Sequence, residues 1–257
     1  MRAAVLIAAV CAAALVVASA AARDRPVTPQ EIAYRAIHGT PQRHVRERLV
    51  VPWRRNGTSR VAQIRRRVHR LRVYGRPHAR RTILTLPNPN GRGTPLVLLV
   101  RRTRGAWVNV YLPVRPNGSR GWIRRRDARV LRDDYRVIVR LRRHRLEVWR
   151  RHRLVTRQTV AVGRPRMPTP HGVFFVVELL KPTTPHSVYG AFSFGLSAHS
   201  NVLKRFGGGD GRIGMHGTNA PWLLGHSISH GCIRMRNRAV RKLARLLPLG
   251  TPVLIRS

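Results

Sequence analysis

Short apolar segments, separated by glycine, proline, asparagine and basic turns, run through this chain from about residue 61 to its end. Several of them alternate apolar and polar side chains, which is typical of strands with one buried face. Only residues 237–247 show convincing helical spacing, with Val240, Leu243 and Leu247 on one stripe, Asn237 as the expected cap and Pro248 as the stop. The sequence therefore predicts a mostly β protein with one amphipathic helix.

The first 22 residues have the pattern of an export signal. A positive start is followed by an uncharged apolar run, then by small residues where a signal peptidase cleaves, and charge begins at Arg23. An uncleaved membrane anchor is the alternative, because the stretch is about long enough to span a bilayer. We predict cleavage, and hence an exported protein of the periplasm or of the cell wall and extracellular space, with no stable membrane span after the signal is removed.

Cleavage would leave a single cysteine in the chain. Cys11 lies inside the predicted signal, and Cys232 is the other cysteine of the sequence. Exported proteins normally use cysteines in disulfide pairs, because their compartment is oxidising. A lone thiol there favours a reactive role. His216 lies 16 residues upstream, so a cysteine nucleophile with a histidine base is the natural hypothesis.

The charge of the chain is extreme. Lysine and arginine total 51 against 9 acidic residues, for a formal net charge of +42, and three of the basic residues are lysines. Such a balance is typical of nucleic-acid binding, but export argues against a nucleic-acid partner. Anionic wall polymers are the partner that export and charge together favour. The alternative is that the arginines are merely solvated, since net charge bears on association and not on chemistry.

The pattern divides the chain after the signal into three parts. Residues 23–60 are polar, basic and proline-containing, which indicates a linker or extension. Residues 61–132 contain short strands broken by turns and predict a small all-β domain. Its Trp107 strand, followed by a turn and the Trp122 strand, resembles bacterial SH3-like domains, and the two tryptophans are expected to pack in a core or groove. Residues 133–257 form the third part.

This third part resembles the catalytic domain of the L,D-transpeptidases, cysteine enzymes that remodel bacterial peptidoglycan. The resemblance is carried by two motifs at the family's spacing, His216-Gly217-Thr218-Asn219 and Ser229-His230-Gly231-Cys232-Ile233-Arg234-Met235. It implies a β-sandwich or barrel, no cofactor and no metal. It also implies that peptidoglycan stem peptides are the substrate. Cys232 would attack the carbonyl of the third residue of a tetrapeptide stem, release D-alanine and pass the acyl group to an amine.

The same resemblance suggests roles for the motif residues. His216 matches the family's base position, and Gly231 permits the tight turn that an oxyanion site requires. Ser229 is expected to orient that turn through its hydroxyl, and His230 to support it. Arg234 is a candidate for binding a substrate carboxylate, because arginine pairs with carboxylates bidentately.

Three alternatives remain open from the residues alone. The first is a zinc site built from His216, His226, His230 and Cys232, although no recognised paired-ligand spacing is present. The second is a cysteine peptidase or L,D-carboxypeptidase, which passes the acyl group to water. The third is a basic, non-enzymatic wall-binding protein. Three residues that flank or interrupt the motifs are candidates for lining a substrate cleft: His199, Trp222 and His226. The sequence does not place them relative to the motifs.

Overall fold

Alternating and apolar segments become strands along the whole described part of the molecule. The computed structural model describes residues 51–184, 186–206 and 208–257, so the predicted signal at residues 1–22, Cys11 and most of the predicted linker lie outside the described residues. Among the residues that the structure describes, no helix is both long and apolar enough to cross a bilayer.

An N-terminal β unit comprises seven strands. Five of them form one antiparallel sheet in the order β6-β5-β4-β1-β7, and β2 pairs with β3. The bounds are β1 Ser59–Ile64, β2 Arg70–Val73, β3 Leu84–Pro87, β4 Val97–Arg104, β5 Trp107–Tyr111, β6 Arg120–Arg124 and β7 Ala128–Asp133. The unit is all-β, and its SH3-like character stays a prediction, as do the predicted domain boundaries.

The two tryptophans of this unit are buried with Tyr74. The ring of Trp107 meets that of Tyr74 edge to face at 5.2 Å, and the guanidinium of Arg102 lies 5.1 Å from the ring centre of Trp122. These contacts place both tryptophans in a small apolar cluster.

The C-terminal unit contains an eight-stranded sheet in the order β10-β9-β8-β17-β12-β13-β14-β16, and β11 pairs with β15 beside it. The bounds are β8 Tyr135–Arg140, β9 Arg145–Arg150, β10 Arg153–Thr159, β11 Val162–Gly163, β12 Gly172–Leu180, β13 Ser193–His199, β14 Arg212–His216, β15 Ser227–Ser229, β16 Ile233–Arg234, α1 Asn237–Leu246 and β17 Pro252–Arg256. In the described residues α1 is the one α-helix, so the mostly β class is confirmed.

Helix α1 packs through the predicted stripe. Ala239, Val240 and Leu243 are buried against the sheet. The expected cap is wrong: Arg236 occupies the N-cap position without a side-chain hydrogen bond. The side chain of Asn237 instead connects the segment before β13 to the segment after β14. Its amide accepts from the N–H of Ala191 at 3.0 Å and donates to the carbonyl of Thr218 at 3.1 Å.

Strand β12 joins the two units, because both of its faces are buried. Successive side chains of a strand point to opposite faces. Phe174 and Val176 accordingly pack into the core beneath α1, while Val173 and Phe175 pack into the core of the N-terminal β unit. Leu254 of β17 joins this second core. The N-terminal β unit therefore covers the back of the C-terminal sheet and is fixed beside the cleft described next.

Candidate active site

Cys232 lies in a tight turn that connects β15 to β16. Gly231 has a φ of +118°, and a Cβ added there would lie 2.8 Å from Cδ1 of Ile213. A side chain at position 231 would thus be strained by both its backbone and its neighbour. The thiol of Cys232 is free, and its sulfur accepts a hydrogen bond from the N–H of Gly214 at 3.4 Å.

The strand register brings His216 to the same place. Strands β14 and β16 pair in parallel, with His216 opposite Arg234. A Cβ added at Gly214 would lie 3.9 Å from the sulfur of Cys232. Residues 214 and 216 project from the same face of β14, so the imidazole shares that face with the thiol. Both residues line one cleft.

Burial keeps the resting pair neutral. It lowers the pKa of His216 to about 4, against a smaller opposing effect of the hydrogen bond to Gly217 and with a further lowering by the Arg234 charge. Burial likewise raises the pKa of the Cys232 thiol, although the Gly214 N–H and the Arg234 charge oppose it. The resting site thus holds an uncharged thiol and an uncharged imidazole.

The hydroxyls of Ser229 and Thr169 hold the turn that carries Cys232. The Ser229 hydroxyl donates to the carbonyl of Cys232 at 2.6 Å and accepts from the N–H of Gly231 at 3.0 Å. The Thr169 hydroxyl donates to the carbonyl of Gly231 at 2.8 Å and accepts from the N–H of Gly163. The orienting hydroxyl of Ser229 is predicted from its motif, whereas the sequence does not reveal that the loop of Thr169 reaches this turn.

The remaining motif residues lie around the pair. The ring of His230 stacks on Phe206 at 5.2 Å, and Phe206 lines the cleft. Arg234 does not line the cleft, and its Nε is buried without a hydrogen-bond partner. The positive charge of Arg234 nonetheless contributes to lowering the pKa of His216 and opposes the rise in the pKa of Cys232. The roles of His230 as a supporting residue and of Arg234 in carboxylate binding stay predictions.

The cleft has a volume of about 1060 Å³ and lies between the two units. The C-terminal unit contributes Cys232, His216 and the segment before β13, whose Tyr189 ring meets the His216 ring edge to face at 5.0 Å. The N-terminal β unit contributes one wall, which the sequence did not predict, lined by Asn90, Gly91, Arg92, Pro95, Leu96, Val97 and Pro113.

The segments between β13 and β14, described at residues 200–206 and 208–211, close one side of the cleft and are held by the N-terminal β unit. The Arg115 guanidinium donates to the carbonyls of Ser200, Leu203 and Asp210 at 2.6, 2.9 and 2.9 Å. Asn117 exchanges two hydrogen bonds with the backbone of His199, at 2.7 and 2.8 Å. These contacts hold the backbone of Asp210, which lines the cleft together with Phe206.

The three residues that flank or interrupt the motifs lie outside the cleft lining. His199 is buried and lies 3.0 Å from a carboxylate oxygen of Asp210, whereas Trp222 and His226 are exposed. Across the described ranges, no group of three or more histidine, cysteine, aspartate or glutamate side chains is arranged to hold a metal. The four residues of the zinc alternative are thus not assembled into such a site.

Comparison with known proteins concerns the C-terminal unit, which contains both Cys232 and His216. A family model described as the L,D-transpeptidase catalytic domain, YkuD, matches residues 134–255. YqjB of Bacillus subtilis (strain 168), named as an L,D-transpeptidase, is 35% identical over 130 residues, which cover 46% of this chain and 69% of that protein. The chain belongs to the L,D-transpeptidase family.

Another relative and a solved structure carry the same family name. YkuD of Bacillus licheniformis, also named as an L,D-transpeptidase, is 37% identical over 121 residues, which are 47% of this chain and 65% of that protein. The chain thus spans less than two thirds of that relative's length. A crystal structure of an L,D-transpeptidase from Mycobacterium tuberculosis H37Rv is 14% identical, with a TM-score of 0.43, and the match covers 63% of this chain and 90% of that one.

Proposed function

We propose that this member of the L,D-transpeptidase family is a peptidoglycan L,D-transpeptidase with Cys232 as nucleophile and His216 as general base. The observation that carries the proposal is that the free thiol and the imidazole line the same cleft. Both residues lie within the family-matched residues 134–255. The substrate would be a tetrapeptide stem of the cell wall, so the proposal includes export.

The first half-reaction begins from the neutral pair. The thiol proton passes to the unprotonated ring nitrogen of His216 as the sulfur attacks the carbonyl carbon of the third stem residue. The carbonyl oxygen then carries negative charge, which backbone N–H groups around the Gly231 turn would stabilise. The C–N bond breaks, D-alanine takes the proton from His216 and leaves, and a thioester on Cys232 remains.

The second half-reaction transfers the acyl group. An acceptor amine attacks the thioester carbonyl and gives a proton to His216, and the sulfur leaves and recovers that proton. The N-terminal wall of the cleft gives a second peptide chain a surface beside the thioester. If water replaced the amine, the same residues would act as an L,D-carboxypeptidase.

Mass spectrometry of purified tetrapeptide muropeptides after incubation with the protein tests the proposal. We expect cross-linked dimers and released D-alanine with the wild type, and unchanged muropeptides with Cys232→Ala. Trimmed tripeptides without dimers would instead identify a carboxypeptidase. Unchanged muropeptides with the wild type would indicate a wall-binding protein.

A further inference from the structure

A row of paired residues runs across the sheet to the nucleophile. Glu178 of β12 is opposite Gly195 of β13, and Gly195 is opposite Gly214 of β14. The N–H of Gly214 in turn contacts the sulfur of Cys232 at 3.4 Å. All four residues line the cleft, and the two glycines leave the floor between Glu178 and Cys232 without side chains.

The side chain of Glu178 lies over this bare floor. A Cβ added at Gly195 would lie 2.6 Å from both Cγ and Oε1 of Glu178, so the carboxylate extends across the neighbouring strand toward β14. Directly opposed Cβ positions on paired strands lie about 5 Å apart. The carboxylate is therefore no more than about 12 Å from the thiol sulfur, a length that about three to four residues of an extended peptide cover.

Glu178 is poorly paired for a buried carboxylate. Its side chain is 9% exposed, and in the part of the chain that the structure describes it makes one ion pair, to Nε of Arg92 at 3.9 Å. The Arg92 side chain is 61% exposed. A buried charge without close partners is costly, so a loose pair with a solvated arginine leaves capacity for a better partner.

Asp210 is the other carboxylate of the cleft lining, and it is already engaged. One of its oxygens lies 3.0 Å from Nε2 of His199 and 3.3 Å from a guanidinium nitrogen of Arg212. Arg92, Lys181 and Arg212 also line the cleft, and their charges repel cations. Glu178 is thus the more weakly paired carboxylate of the cleft lining and the one better placed to attract a positive group of a substrate.

We propose that Glu178 binds a primary ammonium group of the substrate peptide and displaces Arg92 from the carboxylate. This inference rests on the proposed function, in which a stem peptide occupies the cleft. The ammonium group belongs either to the side chain of the donor's third residue or to the acceptor strand. A single carboxylate suits a monovalent ammonium, since it lacks the further oxygen ligands that a divalent cation requires.

Peptide binding to the Cys232→Ala protein tests the inference without turnover. Isothermal titration calorimetry compares a tetrapeptide with a free amine on its third side chain and the same peptide acetylated there. A charge-assisted hydrogen bond to the buried carboxylate predicts that acetylation weakens binding about 10- to 100-fold. The penalty should disappear when Glu178→Gln is added. It should persist with Asp127→Asn, which removes an equal charge outside the cleft lining.

A second experiment tests the acceptor strand and uses the active protein. Dimer formation is measured at varied concentrations of an amine-bearing acceptor peptide, and Glu178→Gln should raise the KM for the acceptor if the ammonium lies on that strand. Iodoacetamide labelling of Cys232 at the wild-type rate would show that the cleft of this variant is intact. The inference is overturned if acetylation leaves the affinity for the donor peptide unchanged in the protein that retains Glu178, and if Glu178→Gln leaves the KM for the acceptor unchanged.

Failure of the proposed function would give a different pattern. Absence of turnover in the wild type, together with binding that depends on Glu178 and the free amine, would refute the transpeptidase and retain the ammonium site. Normal turnover would refute the ammonium site alone if free and acetylated donor peptides bound equally and Glu178→Gln left the KM for the acceptor unchanged.

Discussion

The Nδ1 of His216 lies 2.6 Å from the backbone carbonyl oxygen of Gly217. A carbonyl only accepts, so Nδ1 donates this bond and carries the ring proton. In the neutral imidazole the second ring nitrogen is then unprotonated and available as a base. The Asn237 amide donates to the carbonyl of Thr218 at 3.1 Å and so ties the same loop to the start of α1.

The first prediction compares the two histidines of the motifs. We expect His216→Gln to lower kcat/KM for dimer formation about 10²- to 10⁴-fold, because the base is lost. His230→Gln should lower it much less, since the His230 ring stacks on Phe206 and does not line the cleft. Steady-state kinetics of both variants measures the difference, and the reverse order would show that the base is misassigned.

The second prediction concerns the acid side of the pH–rate profile. Since the pKa of His216 is lowered to about 4, the imidazole stays unprotonated, and competent as a base, down to that pH. The kcat/KM should therefore remain high through the range near 6.5 in which an ordinary histidine protonates, and fall as the pH approaches 4. A descending limb centred near 6.5 would contradict the neutral-pair mechanism.

The third prediction concerns covalent inhibition. The family resemblance implies that carbapenems acylate Cys232, because their strained carbonyl mimics the donor amide. Intact-protein mass spectrometry should show one adduct per wild-type molecule and none on Cys232→Ala, which lacks the sulfur nucleophile. An adduct that survives the substitution would place the reactive group elsewhere.

Strands with regular alternation could be predicted closely from the sequence. The alternating residues 145–150 form β9, and the apolar run at residues 252–255 lies within β17. Strands β13 and β14 escaped prediction because glycines at 195 and 214 weaken the strand pattern. In the structure a Cβ at Gly195 would lie 2.6 Å from Glu178, whereas one at Gly214 would lie 3.3 Å from the carbonyl oxygen of Phe194 and 3.9 Å from the sulfur of Cys232.

Local motifs singled out two residues of the cleft lining but did not predict its walls. Cys232 and His216 lie in characteristic runs of residues, and both line the cleft. The contributions of Arg92, Arg115 and Glu178 depend on packing between distant segments, for which the sequence gives no periodic signal. Asn237 was misread as a helix cap because an asparagine at the start of a helical stripe usually has that role.

The fourth prediction concerns the arginine that holds the cleft loop. Arg115→Ala removes hydrogen bonds to the carbonyls of Ser200, Leu203 and Asp210, between β13 and β14. The substitution should destabilise this loop locally by at least about 2 kcal/mol. Hydrogen–deuterium exchange of the loop amides should accelerate, and the KM for the donor peptide should rise. The matched control is Arg104→Ala, an exposed arginine of β4, which should change neither quantity.

The fifth prediction concerns a buried carboxyl where the two units meet. Oδ2 of Asp133 lies 2.8 Å from the Thr251 hydroxyl, and Oδ1 accepts from the N–H of Tyr135. Burial raises the pKa of Asp133 to about 6, despite these two hydrogen bonds. The folded state therefore retains this proton more tightly than the unfolded state. The resulting stability is fully present below pH 3.8, the ordinary value, and is lost as the pH rises through 6.

Asp133→Asn removes this titration while its amide can keep both hydrogen bonds. The free energy of unfolding of the variant, relative to the wild type, should therefore rise between pH 4 and pH 7, by up to about 3 kcal/mol. Urea denaturation of both proteins across this range measures the difference, in which the titrations of other groups, including His216, largely cancel. A constant difference across the range would mean that Asp133 ionises in the folded protein at its ordinary pKa.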